Sequence, residues 1–299
     1  FVLNSDRIWA GGSQFIRNYT DDNGATWEMS APAEMDSKSN IEFFRFLDEN
    51  TIITGGSLND TKNDIILKST DAGATWDTVI QGQIGSRWIS SHKKDDMIIV
   101  GGYAGNYALS KDNGATWEYK TLDTALTVID LKGVGITTGK IFICGDDGIM
   151  YQSADEGETW EAVTLDYPLD SSGEPVVKDL YFMVVEGDKI LVNEFNTRGP
   201  DYQFYSNDNG VTWVTDSLNG ESEWYYDGAV SNGNYYFACN TGEIIKKNYE
   251  TDVEERYGMI KRTLMTSNYP NPFNPSTVIE FSINKNSIVN VEIYNSLGQ

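Results

Sequence analysis

The sequence lacks the features of a membrane or helical protein. Its longest apolar run covers residues 180–185, far short of the roughly 18 residues that a membrane-spanning helix needs. It contains no long stretch with the 3.6-residue period of an amphipathic helix. It has no initial methionine and no signal-like segment, so we expect Phe1 to lie inside a processed or longer chain.

Histidine, cysteine and basic residues are scarce. A serine triad or a zinc site would need more partners than the sequence offers around the single histidine, His92, and we expect this residue at the surface. Acidic residues outnumber basic ones 45 to 22, for a net charge of −23. This charge disfavours nucleic acid and direct membrane insertion, because both phosphate backbones and anionic lipid headgroups repel it. No motif indicates a cofactor or a metal.

Aromatic residues and glycine are abundant, with 17 Tyr, 8 Trp and 28 Gly. Tyrosine and tryptophan favour strands and glycine favours turns, so this composition predicts an all-β protein.

One octapeptide, [Ser/Thr]-x-Asp-x-Gly-x-Thr-Trp, occurs five times. Its aspartates are separated by 49, 41, 43 and 53 residues, a period typical of four-stranded propeller blades. Asp accepts hydrogen bonds from turn amides, Gly supplies an unusual φ, and Trp packs between neighbouring sheets. The copies are residues 20–27, 69–76, 110–117, 153–160 and 206–213.

Strands surround each octapeptide. Apolar segments ending in glycine or cysteine precede it, and a sixth unit at residues 235–246 keeps this frame without the octapeptide. The count predicts a six-bladed β-propeller of four-stranded antiparallel blades over residues 1–264, with seven blades as the alternative. The first unit is short, so residues 1–3 or residues upstream would supply its opening strand. Opening strands of later units are expected at residues 41–46 and 177–182.

The octapeptide resembles the Asp box, or bacterial neuraminidase repeat, of sialidases, sortilin-type receptors and photosystem II assembly-factor propellers. In those families the box joins the two outer strands of a blade and lies away from the ligand face. The resemblance therefore implies structural roles for ten residues: Asp22, Trp27, Asp71, Trp76, Asp112, Trp117, Asp155, Trp160, Asp208 and Trp213.

The composition changes near residue 265. Residues 268–277 read Asn-Tyr-Pro-Asn-Pro-Phe-Asn-Pro-Ser-Thr and precede two alternating segments, which predicts a rigid linker leading into a small β-sandwich. Residues 265–299 resemble the start of a type A sorting domain of the type IX secretion system of Bacteroidota. The resemblance implies export across the outer membrane to the cell surface or medium, with the secretion machinery as a partner.

Sialidase activity would require an arginine trio, and no trio is marked by repeat position. Arg7 stands roughly where sialidases have Arg-Ile-Pro, but the proline is absent. A glycosidase with two facing carboxylates remains an alternative. The favoured hypothesis is a non-catalytic binding or assembly module for an extracellular glycan or surface protein. Candidate residues on the face opposite the boxes are Trp88, Tyr103, Asp146, Asp147, Glu194, Arg198, Tyr202 and Trp224.

The two cysteines, Cys144 and Cys239, end equivalent strands of the fourth and sixth units. Equivalent positions two blades apart are separated by about 14 Å, beyond the ~7 Å between Cα atoms that a disulfide spans. We therefore expect two free, buried thiols despite the predicted export.

Overall fold

The computed structural model describes most of the chain and shows an all-β architecture with two 3₁₀ turns, Tyr103–Gly105 and Asp146–Gly148. The described residues are 7–11, 17–29, 40–58, 63–84, 87–122, 129–194, 201–218, 225–239, 243–248, 253–258, 265–269 and 278–281.

The strands form six successive antiparallel sheets, which are the blades of a propeller. Blade 1 has three strands among the described residues and blades 2 and 3 have four, each in chain order. Their strands are β1 (Ile8–Gly11), β2 (Arg17–Thr20), β3 (Glu28–Met29); β4 (Asn40–Phe46), β5 (Ile52–Leu58), β6 (Asn63–Ser69), β7 (Asp77–Ile84); β8 (Trp88–Lys94), β9 (Met97–Gly102), β10 (Asn106–Ser110) and β11 (Glu118–Thr121).

Blades 4, 5 and 6 repeat the same order, and a separate two-stranded sheet follows them. Their strands are β12 (Leu131–Ile136), β13 (Ile141–Gly145), β14 (Met150–Ser153), β15 (Glu161–Ala162); β16 (Leu180–Glu186), β17 (Lys189–Glu194), β18 (Asp201–Ser206), β19 (Val214–Leu218); β20 (Tyr225–Ser231), β21 (Asn234–Cys239), β22 (Glu243–Asn248), β23 (Val253–Gly258); β24 (Met265–Tyr269) and β25 (Val278–Phe281).

The first strands of blades 2 to 6 pack on one another in succession and line the propeller axis. Five clusters of buried apolar side chains each join two successive blades, from blades 1 and 2 through to blades 5 and 6. Trp9 of blade 1, for example, is fully buried 6.0 Å from the ring of Trp76 in blade 2. Within the described ranges, no such cluster joins blade 6 to blade 1.

The six-bladed fold predicted from the repeats is confirmed, and the box-less sixth unit forms a four-stranded blade. The predicted opening strand at residues 177–182 is wrong by three residues, because β16 begins at Leu180. Val177 belongs to the preceding connection and is 48% exposed, whereas Leu180 is fully buried between blades. Residues 1–3, proposed for the opening strand of blade 1, lie outside the described residues.

Both cysteines are buried and carry free thiols, in agreement with the repeat alignment. Cys144 ends the apolar part of β13, and burial raises the pKa of its thiol. Cys239 is the last residue of β21. In the C-terminal segment β24 and β25 pair with each other, and the boundary between residues 264 and 265 stays a prediction.

Candidate functional site

The blade ends define two faces of the propeller. At one end, the boxes of blades 2 to 5 each connect the third strand to the fourth, and the box of blade 1 connects β2 to β3; we call this end the box face. At the other end lie the turns between second and third strands and the connections between blades; we call this end the loop face.

The five boxes repeat one set of hydrogen bonds. In the third box, Asp112 accepts bonds from the Thr116 amide at 2.8 Å, from the Thr116 hydroxyl and from the Ser110 hydroxyl at 2.9 Å. The Ser110 oxygen in turn accepts the Gly114 amide at 2.8 Å. The same bonds occur in the boxes of Asp22, Asp71, Asp155 and Asp208.

These hydrogen bonds stabilise the ionised carboxylates. Donors from the box hydroxyls and amides lower the pKa of Asp112, Asp155 and Asp208 to about 2. Asp22 behaves in the same way, and the pKa of Asp71 is also lowered. Because every box carboxylate is engaged by its own turn, the box aspartates have structural roles, as the resemblance implies.

Four of the box tryptophans contribute to interblade packing. Trp76 is 7% exposed, Trp160 contacts Tyr107 with ring centroids 5.4 Å apart, and Trp213 contacts Phe142 at 6.3 Å. Trp117 packs on the cluster between blades 2 and 3. Trp27 departs from this expectation and is 47% exposed.

On the loop face, five first strands share a β-bulge at the same register. Each bulge follows a buried apolar residue and places one extra residue opposite the second strand. Bulges re-aim side chains, so this repeated irregularity places one half-buried or exposed residue at the loop-face end of each of these first strands, around the axis. The extra residues are Glu42, Ile89, Lys132, Tyr181 and Tyr226.

In blades 2 to 4 a glycine pairs with the residue before the bulge. A Cβ on Gly145 would lie 1.9 Å from the backbone oxygen of Asp130, just before the bulge. A side chain at this position of blade 4 would therefore clash with the opposite backbone. The bulge itself does not require glycine, because blades 5 and 6 form it with Glu194 and Cys239 at the corresponding pairing position.

A charged network surrounds the bulge residue Lys132. Its ammonium forms ion pairs with Asp146 and, at 2.9 Å, with Asp179 of the next blade. Burial alone would lower the pKa of Lys132, but these two carboxylates raise it. Asp179 also accepts the Asp147 amide at 3.1 Å, and Asp146 accepts the Asp130 amide at 3.0 Å. The predicted acidic pair, Asp146 and Asp147, therefore lies in a turn of blade 4 that ion pairs and hydrogen bonds link to Asp179, just before the first strand of blade 5.

The predicted tyrosines on this face are each covered by a cation. Arg87 lies 5.9 Å from the ring centroid of Tyr103, and Lys178 lies 5.7 Å from that of Tyr202. Lys132 lies over Tyr181 in the same way, at 6.0 Å. Arg87 also forms an ion pair with Glu42 of the preceding blade.

Two predicted ligand-face residues are buried, and these predictions are wrong. Trp88 is fully buried in the cluster between blades 2 and 3, where its ring packs on Tyr119 at 5.4 Å. Glu194 is 1% exposed and accepts the Tyr202 amide at 3.2 Å. Both occupy strand ends, but at the inward position beside a bulge. Arg198 and Trp224 lie outside the described residues.

His92, which the sequence predicts at the surface, is half-buried in the axial region. Its Nδ1 accepts the Ile136 amide of the next first strand at 3.2 Å. Burial, and then the charges of Arg45 and Lys94, lower the pKa of His92 to about 4. A hydrogen bond with the Val185 backbone acts in the opposite direction and raises this pKa. Burial also lowers the pKa of Arg45 to about 10.

The connection between blades 4 and 5, residues 163–179, exposes apolar side chains on the loop face. Leu169 is 64% exposed and Val177 is 48% exposed. The connection is held in place, because Leu169 pairs with Pro175 as a β-bridge and the Tyr167 hydroxyl donates to the Gly148 oxygen at 3.2 Å. We call this connection the ledge.

A cleft of about 630 Å³ opens on the box face between blades 3 and 4. Its lysines are engaged by the protein: Lys94 donates to Thr138 at 2.9 Å, and Lys111 lies 3.4 Å from Glu156. Across the described residues, no three His, Cys, Asp or Glu side chains are grouped so as to hold a metal ion. The same part of the chain contains no helix long and apolar enough to cross a membrane.

Comparison with known proteins supports this architecture. Residues 87–260, more than half of the chain, match the family model described as photosynthesis system II assembly factor YCF48. A structure of YCF48 bound to D1 peptide shares 13% identity at a TM-score of 0.61, over 89% of this chain and 81% of that chain. YCF48 from Cyanidioschyzon merolae shares 13% at a TM-score of 0.59, over 86% and 83%.

An ancestral GH74 enzyme is also similar, with 12% identity and a TM-score of 0.61. The match covers 85% of this chain but 37% of the enzyme. Identities this low establish the propeller fold alone. No curated protein matches the chain.

Proposed function

The chain belongs to the family of photosynthesis system II assembly factor YCF48, and we propose that it is a non-catalytic module that binds a polypeptide partner on its loop face. The exposed apolar ledge carries this proposal. Leu169 and Val177 stand in solvent on a connection whose backbone is already ordered by its own bonds. An ordered apolar patch with a polar rim is typical of a protein interface.

The charged groups beside the ledge complete the rim. Lys132 with its two carboxylate partners lies next to the ledge, because Asp179 ends the ledge and Val177 packs near Gly148. Each of these groups already has an internal partner, so the rim is arranged before a ligand arrives. Preorganisation of this kind lowers the entropic cost of binding.

The arrangement of carboxylates supports binding over hydrolysis. A glycosidase requires one carboxyl group with a raised pKa and a second one facing it across the substrate. Asp146 and Asp179 are both paired with Lys132, and Glu194 is buried. Burial raises the pKa of Asp130 and of Asp227, but these carboxylates accept the Ala104 amide at 3.3 Å and the Gly228 amide at 2.8 Å. The structural similarity to a YCF48 that carries a peptide is consistent with a polypeptide ligand.

The test is selection of peptides from a displayed library on the immobilised propeller, followed by titration calorimetry of the recovered peptides. We expect Leu169→Asp to weaken binding at least tenfold, because it places a charge in the apolar contact. Val211→Asp is the matched control, since Val211 is 73% exposed but lies in a box on the opposite face.

A chromogenic glycoside panel and a glycan array run on the same protein test the alternatives. Turnover that disappears in Asp130→Asn would establish a glycoside hydrolase and overturn the proposal. Glycan binding that Leu169→Asp abolishes, with no peptide recovered, would also overturn it.

We also propose that the protein is exported to the cell surface or medium through a type IX route. The support is the proline-rich motif of residues 268–277 together with the sorting-domain resemblance of residues 265–299. Deletion of residues 265–299 in the native host should leave the propeller inside the cell, measured by fractionation and immunoblotting. Export at the normal level after this deletion would contradict the proposal.

A further inference from the structure

The bulge residues differ from blade to blade although their surroundings are constant. The residue before each bulge is a buried apolar one in all five blades, while the bulge residue changes between acid, aliphatic, base and tyrosine. A constant frame with variable inserts is the arrangement expected of residues that determine specificity.

The loop face repeatedly holds a cation over an aromatic ring. Lys132 of blade 4 covers the bulge tyrosine of blade 5, Tyr181, at 6.0 Å. The two further pairs on this face, at Tyr103 and Tyr202, have separations of 5.9 and 5.7 Å. An ammonium or guanidinium is attracted to the ring face within about 6 Å of the centroid.

The sixth blade breaks this pattern. Its bulge residue is again a tyrosine, Tyr226. The bulge residue of the preceding blade is Tyr181, however, and not a lysine such as the Lys132 that precedes Tyr181. Tyr226 is 51% exposed, whereas the covered ring of Tyr181 is partly buried. The Tyr226 ring of blade 6 therefore occupies the same bulge position as the Tyr181 ring of blade 5, which Lys132 covers.

The electrostatic setting favours a cation there. The protein as a whole carries a net charge of −23. On the loop face, the carboxylates of Asp146 and Asp179 share the single Lys132.

We propose that Tyr226 receives a lysine or arginine side chain of the bound polypeptide as a cation–π partner. This inference rests on the proposed function, because it names the chemical class of the segment that the loop face binds. The ledge supplies the apolar contact, and Tyr226 selects a basic residue.

The test uses four pentapeptides of sequence acetyl-Gly-Ser-X-Ser-Gly-amide. X is lysine, arginine, trimethyl-lysine or the neutral tert-butyl isostere of trimethyl-lysine. Binding is followed by NMR with ¹³C-labelled tyrosine rings, and the Tyr226 signal is assigned from Tyr226→Phe. A cation–π contact at an exposed site corresponds to about a two- to fivefold affinity difference between trimethyl-lysine and its isostere.

We expect Tyr226→Leu to remove this difference and Tyr226→Phe to retain it. Trp27→Leu, which changes a half-exposed aromatic outside the loop face, should have no effect. Equal binding of the cation and its isostere by the unaltered protein would overturn the inference. If Leu169→Asp still abolishes binding of the library peptides in that case, the proposed function stands without it. Loss of both effects would reject both.

Discussion

The two faces of this propeller use the same strands in opposite ways. On the box face, five turns repeat one set of bonds, with Asp112 and Ser110 as typical members. On the loop face, five bulges repeat one backbone irregularity but carry different side chains. The repeat therefore keeps the bonds that hold each blade together, whereas the side chains at the bulges change from blade to blade.

The largest expected effect comes from a substitution in a box that combines backbone strain with a clash against the neighbouring blade. Gly73→Ala should lower the free energy of unfolding by about 3 kcal/mol, through a left-handed φ together with overpacking. Gly73 has a φ of +90°, and its Cβ would lie 2.3 Å from the Trp9 ring. Chemical denaturation measures the change.

Gly24→Ala is the matched control for this substitution. Gly24 has a φ of +86°, but its Cβ would meet nothing nearer than its own Trp27 at 3.9 Å. We expect a cost of about 1 kcal/mol from the backbone alone. Equal costs at the two positions would show that interblade packing contributes nothing to the box.

The next effect concerns pH and distinguishes the axial region from the boxes. His92 is neutral in the fold, since its pKa is lowered to about 4, while the unfolded chain takes up a proton below about 6.5. Stability should therefore fall as the pH decreases from about 6.5 to about 4, by about 3 kcal/mol at most. Arg45 and Lys94 both oppose protonation of this ring.

His92→Gln should remove this part of the pH dependence. Chemical denaturation of both proteins at several pH values measures the difference in their free energies of unfolding. The box aspartates act in a lower window, because their stabilisation is present above their unfolded pKa and is lost as the pH falls toward about 2. An unchanged slope between pH 6.5 and 4 in the variant would contradict the assignment to His92.

The smallest effect tests the turn conformation of the boxes. The residue before the box glycine has a positive φ in all five, and three of the boxes place asparagine there. Ala72 has a φ of 58°, so Ala72→Asn should stabilise the protein by about 0.5 kcal/mol, because asparagine tolerates the left-handed region. Thermal unfolding measures the gain, with Ala74→Asn as the control. A loss of stability would mean that side-chain crowding outweighs the backbone preference.

Most of the fold could be predicted from the sequence because the box is a local structure. Asp112, Gly114 and Thr116 bond within one turn, so eight residues contain all the information for that hairpin. Repetition then gives the blade count. The strand at Leu180 was misplaced because Val177 has the same apolar character, and burial is decided by the neighbouring blade.

The candidate site was less predictable. The residue types on the loop face could be recognised, but Trp88 and Glu194 point inward while Tyr226 points outward. Whether a side chain points inward or outward at this position depends on the bulge. The sequence of one strand does not reveal where a bulge occurs. A usable signal was the glycine at the end of a second strand, as at Gly145, since it marks where another backbone approaches.

Local hydrogen bonding and composition are enough to specify the turns of this protein, its all-β class and its acidic character. Which aromatic rings are buried, which are covered by cations, and the position of His92 at the axis depend on the packed fold. These properties depend on how one blade packs against the next, over separations of 40 or more residues such as that between His92 and Ile136.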